Sequence, residues 1–430
     1  SPLGNLRRGD LGMSERSSAA ALSEWVTASD RRLLGAVLGF TAVVFTVLAL
    51  VSTSSLDGTV STVRRVFFFG AVYALVVLAL NLQWGYAGMF NIGIAGFMAI
   101  GLYSMAILTM QIGLPYPVAA VGAVLVTALF GVIVALPALR LKADYLAIVT
   151  LAFAEIVRSI LSSQQFSSFT LAGYDLGFGG ATGPEAPPNP MKFLLYEEPY
   201  SLVSEPNAVG EGFFSLVEPL PIDGPTAEAI LYVFFLLIVV GLFYVLLSRV
   251  GNSPFGRVLK AISEDETVAR ALGKDTRLFK IKAFALGAAL MGLAAILWYL
   301  ESGGVRPSNF QPQTTFFIFV ALIIGGSGSN LGSIIGGLVF GAFLIQGPEI
   351  IETIISQRFN PEASPQTIFD AFSGLDPFLA YTIDNLASVR IILLGVFLIY
   401  LIQNRPEGLI GNRKEVASSI DLEDRSGGES

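Results

Sequence analysis

Long apolar runs separated by short polar connectors are the dominant pattern along this chain. Leu33–Val51, Val66–Leu82, Pro117–Leu139 and Pro225–Leu247 are each apolar over a stretch able to cross a bilayer core. The core is about 30 Å thick and a helix rises about 1.5 Å per residue. Ala283–Leu300, the short run Phe316–Ile324, Ile334–Ile351 and Ile391–Ile402 continue the pattern. Two further crossings are expected, in the glycine-rich segment 81–103 and in the run that re-enters after Arg140 and Lys142. Only helices satisfy their own backbone in lipid over such lengths. The pattern therefore predicts an all-α polytopic membrane protein of about ten transmembrane helices.

The connectors divide the chain. Residues 1–32 form a polar N-terminal tail, in which Met13 is a candidate start residue. A first transmembrane half over 33–163 and a second over 225–404 flank a Gly- and Pro-rich loop at 164–224. That loop carries Asp175, Glu185, Glu197, Glu198, Glu205, Glu211, Glu218 and Asp223 against Lys192 alone, and is read as an external flap, a partner surface or simply a solvated connector. A further external loop is expected at 357–388, and a polar tail at 405–430. Lys and Arg gather in the N-terminal tail, at 140–142, in the loop 248–282 and in the C-terminal tail, which places these segments and both termini on the cytoplasmic side. Arg64 and Arg65 oppose that orientation.

Composition agrees, with 53% of residues hydrophobic and 14% charged. Soluble domains carry nearer ~25% charged residues. The chain contains no Cys and no His, which removes thiol chemistry, disulfides, the commonest general base and the commonest metal ligand. The Gly-Lys pair in "LGKDT" at 272–276 lacks the earlier glycine of a phosphate-binding loop. Neither an enzyme nor a cofactor- or metal-binding protein is expected.

Two stretches are rich in glycine. "NLQWGYAGMFNIGIAGFMAIGLY" at 81–103 holds Gly85, Gly88, Gly93, Gly96 and Gly101 beside Asn81, Gln83 and Asn91, and "GGSGSNLGSIIGG" holds Gly325, Gly326, Gly328, Gly332, Gly336 and Gly337. Glycine lets helices approach closely in lipid, and it also lets a helix break where a cavity supplies hydrogen-bond partners. Both readings fit. Such segments in opposite halves suggest an internal pseudo-repeat of the transporter kind. On the run after Arg140, Glu155 and Arg158 stand three apart and can pair on one helix face, as a self-satisfied couple or as part of a pathway.

The stretch Phe255–Lys282 is the longest charged segment between strongly apolar ones. Ser263 and Glu266 have capping-box spacing, with Glu264 and Asp265 in the first turn. Gly273 suits a left-handed helix end, and Val268, Ala271 and Leu272 share a face. The helix so predicted is either a solvated connector or a docking helix for a cytoplasmic partner.

Taken in order, "NLQWGYAGMFNIGIAGFMAIGLY", "RLKADYLAIVTLAFAEIVRSI", "FGRVLKAISEDETVARALG", "GGSGSNLGSIIGG" and "RPEGLIG" resemble the successive signature blocks of one family over about residues 66–411. It is the membrane permease subunit of ABC importers for branched-chain amino acids, a family that also includes urea and short-amide permeases. The resemblance implies a prokaryotic plasma-membrane subunit that works with a homologous permease, two cytoplasmic ATPase subunits that bind the ATP, and an external substrate-binding protein. It implies no nucleic acid partner. It also makes 264–273 the coupling helix, with Ser263, Glu264, Asp265, Glu266, Ala269, Ala271, Leu272 and Gly273 as the contacting set. The solute would then pass near Gly85, Gly88, Asn91, Gly93, Gly96, Thr150 and Glu155. The acidic loop at 164–224 is longer than the family leads one to expect. The rival class is an ion-coupled secondary transporter, with Glu155 or Asp144 carrying the ion linkage. A structural or receptor subunit would explain neither the glycine segments nor the capped basic loop.

Overall fold

Residues 32–410 are described by the computed structural model, except 54, 142, 172, 202–203, 302–303, 359–364, 366 and 405–407. Both expected polar tails fall almost entirely outside this range. Among the described residues, eight helices are long and apolar enough to cross a membrane. They are α1 (Arg32–Ser52), α2 (Leu56–Asn81, carried on by a π-helical turn to Tyr86), α3 (Ile94–Ala106, extended to Gln111), α4 (Tyr116–Ala138), α5 (Ala143–Ser162), α8 (Gly224–Asn252), α11 (Thr276–Tyr299) and α13 with α14. α13 (Asn330–Val339) and α14 (Gly347–Arg358) are joined through a π-helical stretch, Phe340–Gln346. The other two expected positions hold α12 (Pro312–Gly325), which is apolar but short, and α17 (Leu386–Asn404).

The second span differs from expectation. The polar residues before Val66 are not a turn, because α2 starts at Leu56, where the Ser55 side chain accepts the Gly58 N–H. The extra turns carry Arg64 and Arg65, the two cations that oppose the orientation rule. Arg64 Nη1 lies 3.3 Å from Glu301 Oε1 and Arg65 Nη1 3.4 Å from Glu349 Oε1, so each is neutralised by a carboxylate.

The loop 164–224 is built from short elements. Strands β1 (Phe169–Leu171) and β2 (Tyr174–Leu176) form an antiparallel hairpin, and α6 (Pro190–Leu195) and α7 (Ala208–Val217) follow. Asn189 and Asn207 cap the two helices through their side chains. Gln111 at the end of the α3 extension ties the hairpin down, donating to Gly177 O at 2.8 Å and accepting from Gly177 N at 2.9 Å. The other expected external loop holds α15 (Ile368–Ala371) and α16 (Leu375–Asp384).

The core sits on α2, α3 and α11. Every residue from Val72 to Leu80 is buried, as is most of α3. α3 crosses α11 where Gly101 meets Gly292 backbone to backbone, a small-residue contact of the kind that holds helices together in lipid. α1, α4 and α8 instead turn large apolar side chains outward, among them Phe40, Val121, Leu125, Phe234 and Ile238. In water such a surface would be a liability; in a bilayer it is the solvent-facing side.

The basic stretch after α8 is three helices, not one. α9 (Pro254–Glu264) starts on Ser253, whose hydroxyl accepts from Gly256 N at 3.2 Å. Leu259 and Ile262, three apart, are buried and pin α9 against the bundle. α10 (Glu266–Ala271) then caps on Asp265, whose Oδ1 accepts from Thr267 N at 2.8 Å and Val268 N at 3.1 Å. The capping box read on Ser263 is therefore corrected: Ser263 lies in the last turn of α9, and Asp265 is the cap.

Candidate functional site

We call one end of the bundle the inner end because the 248–282 cations lie there. At this end both glycine stretches break their helices, and the breaks meet. After the π turn Leu82–Tyr86 the chain leaves helical geometry until Ile94, and after Gly325 it does so until Asn330. Asn81 spans the junction, its Oδ1 accepting from Gly328 N at 2.7 Å and its amide donating to Asn330 Oδ1 at 3.1 Å. Gly85 stands so close to Gly328 N that a Cβ there would lie 2.5 Å from it.

Buried side chains satisfy the backbone freed by the first break, as a helix interruption in lipid requires. Asn91 donates to Gln83 Oε1 at 2.7 Å and accepts from Gly93 N at 2.8 Å, while Gln83 donates to Phe284 O on α11 at 2.8 Å. Thr150 on α5 accepts from Ile92 N at 3.0 Å, and Thr315 on α12 accepts from Ala95 N at 3.2 Å. Asn91 and Thr150 are fully buried. Gly93 packs on the Thr150 carbonyl and Gly96 on the Ala154 backbone. The two uses of glycine read from the sequence thus occur together: the chain breaks, and the glycines around the break allow close approach.

The basic stretch reaches this same place. Gly88, at φ +65°, lies against Ser263 on α9, and a Cβ there would come within 3.0 Å of the Ser263 hydroxyl. Tyr86, closing the π turn, packs on Gly251 at the end of α8, and Lys260 on α9 sits over its ring at 5.2 Å from the centroid. α10 is held from below by Glu266. Its carboxylate accepts from Arg270 at 2.6 Å, Thr276 at 2.9 Å and Lys280 at 2.5 Å. Burial alone would raise the Glu266 carboxyl, but the hydrogen bonds from Lys280 and Thr276 outweigh it and hold it below its ordinary value.

The predicted docking residues divide into two groups. Ala269 is buried against the bundle, whereas Val268 and Leu272 are 54% and 74% exposed, an apolar pair left bare beside exposed Glu264, Asp265 and Ala271. Gly273 closes α10 at φ +76°. Glu155, by contrast, is bonded to Arg158 on the same helix, through Arg158 Nε at 3.0 Å from Oε2. Asp144 is outside the described side chains.

Sequence reading gave no role to the partners supplied from elsewhere, Thr315, Asn330, Thr276 and Lys280, and singled out the closing motif without its contacts. Leu409 N donates to Ile324 O at 2.8 Å and Ile410 N to Gly325 O at 3.0 Å, so the end of the described chain covers the second break. The sequence signal for Asn330 was available, as a lone amide between apolar runs.

A second polar cluster lies at the opposite end. Asn189 of the long loop donates to Glu301 Oε2 at 2.8 Å and to Glu228 Oε1 at 3.3 Å, and Tyr196 donates to Glu228 Oε2 at 3.3 Å. With Arg64 on Glu301, this joins α2, α8, the end of α11 and the loop. Burial pushes the Glu301 carboxyl up against the opposing pull of Arg64. No group of residues suited to a metal ion occurs among the described residues.

Comparison with known proteins bears on this geometry. The family described as branched-chain amino acid transport system / permease component matches residues 62–375. The chain is 34% identical over 268 residues to the high-affinity branched-chain amino acid transport system permease protein LivM of Escherichia coli, covering 62% of this chain and 59% of that protein. It is 25% identical over 315 residues to a probable branched-chain amino acid transport permease protein LivM of Methanocaldococcus jannaschii, covering 65% of this chain and 80% of that one. A shorter match, 34% over 89 residues, is to the E. coli permease protein LivH, covering 21% of this chain and 29% of that protein. The chain thus spans about 59% of the length of the E. coli LivM it matches. No solved structure matches it.

Proposed function

The chain belongs to the family of permease components of branched-chain amino acid transport systems, and from that premise we propose that it forms the membrane pathway of an ABC importer for branched-chain amino acids. The observation that carries the mechanism is the contact of Ser263 with Gly88, which sets the basic stretch directly on the first helix break. A cytoplasmic ATPase partner seated on Val268 and Leu272 would move α10. Glu266, tied at once to α10 and to Lys280 on α11, passes that movement to the bundle, and α9 passes it to the break. Glycine junctions between the two breaks then allow the inner end to open without disturbing the packed middle of α2 and α3. An effector shifts a two-state equilibrium only through contacts that differ between the states. The short, doubly anchored α10 suits that role better than a mobile connector would.

The partners in this reading are a homologous permease, two cytoplasmic ATPase subunits that bind ATP, and an external substrate-binding protein. That E. coli LivM and LivH both resemble this chain favours a pair of unlike permeases. The setting is the plasma membrane of a prokaryote with both termini inside; the cations of 140–142 and 248–282 support that orientation and outweigh Arg64 and Arg65, which oppose it although each is ion-paired. Urea or a short amide is the alternative solute.

Reconstitution tests the proposal. Proteoliposomes holding the chain with its candidate partner subunits should take up labelled leucine only with ATP on the ATPase side and binding protein on the other. Uptake of urea in preference to leucine would move the chain to the other branch. Uptake by this chain alone, driven by an ion gradient, would make it a secondary transporter.

A further inference from the structure

At the inner end a cavity of about 240 Å³ opens between the first break, the turn from α4 into α5, and the basic stretch. Met89, Leu146 and Ile262 line it together with Ser263, Glu266 and Lys280, the last two joined to each other at 2.5 Å. The space admits a small solute. A cationic and an anionic group among aliphatic side chains complement a zwitterion with a branched apolar side chain, which would enter by parting the pair.

We propose that this cavity is a cytoplasmic binding site for a free branched-chain amino acid, and that its occupant restrains transport from the inner side. The inference rests on the solute class proposed above. Lys280, parted from Glu266, and the Ser263 hydroxyl would take the carboxylate, Glu266 would take the ammonium in place of Lys280, and Leu146, Ile262 and Met89 would take the side chain. The consequence follows from which elements form the walls. Ser263 belongs to α9, Glu266 to α10, Lys280 to α11, Met89 to the break and Leu146 to α5. A ligand bridging them takes the place of the direct Glu266–Lys280 bond through which movement of α10 reaches the bundle, and so opposes the movement that transport requires. Solute accumulated inside would slow its own import.

The test begins with the chain alone in detergent, which needs neither partners nor transport. Leucine should raise the melting temperature in a concentration-dependent, saturable way. Leucinamide, which lacks the carboxylate, and isocaproate, which lacks the ammonium, should bind at least tenfold more weakly. Leu146→Trp, which fills the cavity, and Lys280→Met, which keeps its bulk but loses the charge, should each weaken leucine binding by the same order; the second serves if the first does not fold. In proteoliposomes with partners, leucine loaded on the ATPase side should lower the initial uptake rate of the wild type and not of the Leu146→Trp variant; Lys280→Met, which cuts the Glu266–Lys280 tie between α10 and α11, is used for the binding measurement alone. Unchanged melting with leucine, a shift with urea instead, or full binding by both variants would overturn the site. If uptake is ATP-dependent but indifferent to internal leucine, the inhibition fails while the importer reading stands. Absence of any ATP-dependent uptake alongside intact leucine binding would instead fault the importer reading.

Discussion

Thr150 lies fully buried on α5, and its hydroxyl accepts the Ile92 N–H from across the bundle. Valine has nearly its shape but no acceptor. Thr150→Val should leave that amide unpaired, at a cost of about 1–3 kcal/mol, whereas Thr150→Ser should recover most of the stability. Thermal unfolding in detergent ranks the three, and a valine variant as stable as the wild type would show that the break needs no cap from α5. Gly273 makes a different demand. No atom lies within 4 Å of the Cβ it lacks, yet its φ of +76° penalises any side chain. Gly273→Val should therefore cost about 1–3 kcal/mol of local strain, confined to the turn after α10. We expect it, like Glu264→Lys with Glu266→Lys, to abolish uptake while the protein inserts and folds. Wild-type uptake by these variants would remove α10 from the transmission path. At this scale the sequence was legible where a residue's meaning is local, as with Gly273, and misleading where two neighbours could serve. Ser263 and Asp265 are both good caps; buried Leu259 and Ile262 decide between them by prolonging α9 through Ser263.

The apolar spans were readable because an unbroken apolar run of bilayer length has hardly any use except to cross a membrane. The start of α2 was not, since its polar first turns are held by Glu301 and Glu349 from distant parts of the chain. The same holds for the long loop, whose hairpin and short helices depend on anchors such as Gln111 and Glu301 that no local pattern announces. The closing motif is the clearest case, because its use appears only when it is set beside α12. Gly408, at φ +75°, lies on the Gly326 backbone, where a Cβ would stand 2.5 Å from Gly326 N and 2.6 Å from Ile323 O. A side chain there must push the segment off α12, breaking the bonds from Leu409 and Ile410. Gly408→Val should thus expose the Ile324 and Gly325 carbonyls and loosen the second break. Hydrogen exchange over 320–332 should accelerate while exchange in α2 and α3 stays slow. Unaltered exchange there would make the motif a passive end.

Taken whole, the molecule has polar chemistry at its two ends and a packed middle with little of it, and the two ends answer to pH differently. At the inner end Glu266 is held below its ordinary value, so its contribution is present at neutral pH and is lost only as pH falls through that lowered value. At the other end burial raises Glu301 despite Arg64 and the Asn189 amide, with Glu228 adding to the rise. A carboxyl raised on folding stabilises the fold most below its unfolded pKa, about 4.3 for glutamate, and loses that contribution as pH rises through the folded value. Between neutrality and about pH 4.3, acidification should therefore strengthen the outer cluster, which ties the long loop to α2 and α8, before it weakens the inner one. Glu301→Gln keeps an acceptor for Arg64 and cannot titrate. It should flatten the rise in thermal stability on mild acidification and leave transport coupling at the inner end intact. If the wild type shows no such rise, or the glutamine variant keeps it, Glu301 does not control how the loop is held. If the rise is present and uptake follows it, the hold on the loop is also a hold on the transport cycle, exerted from the end opposite α10.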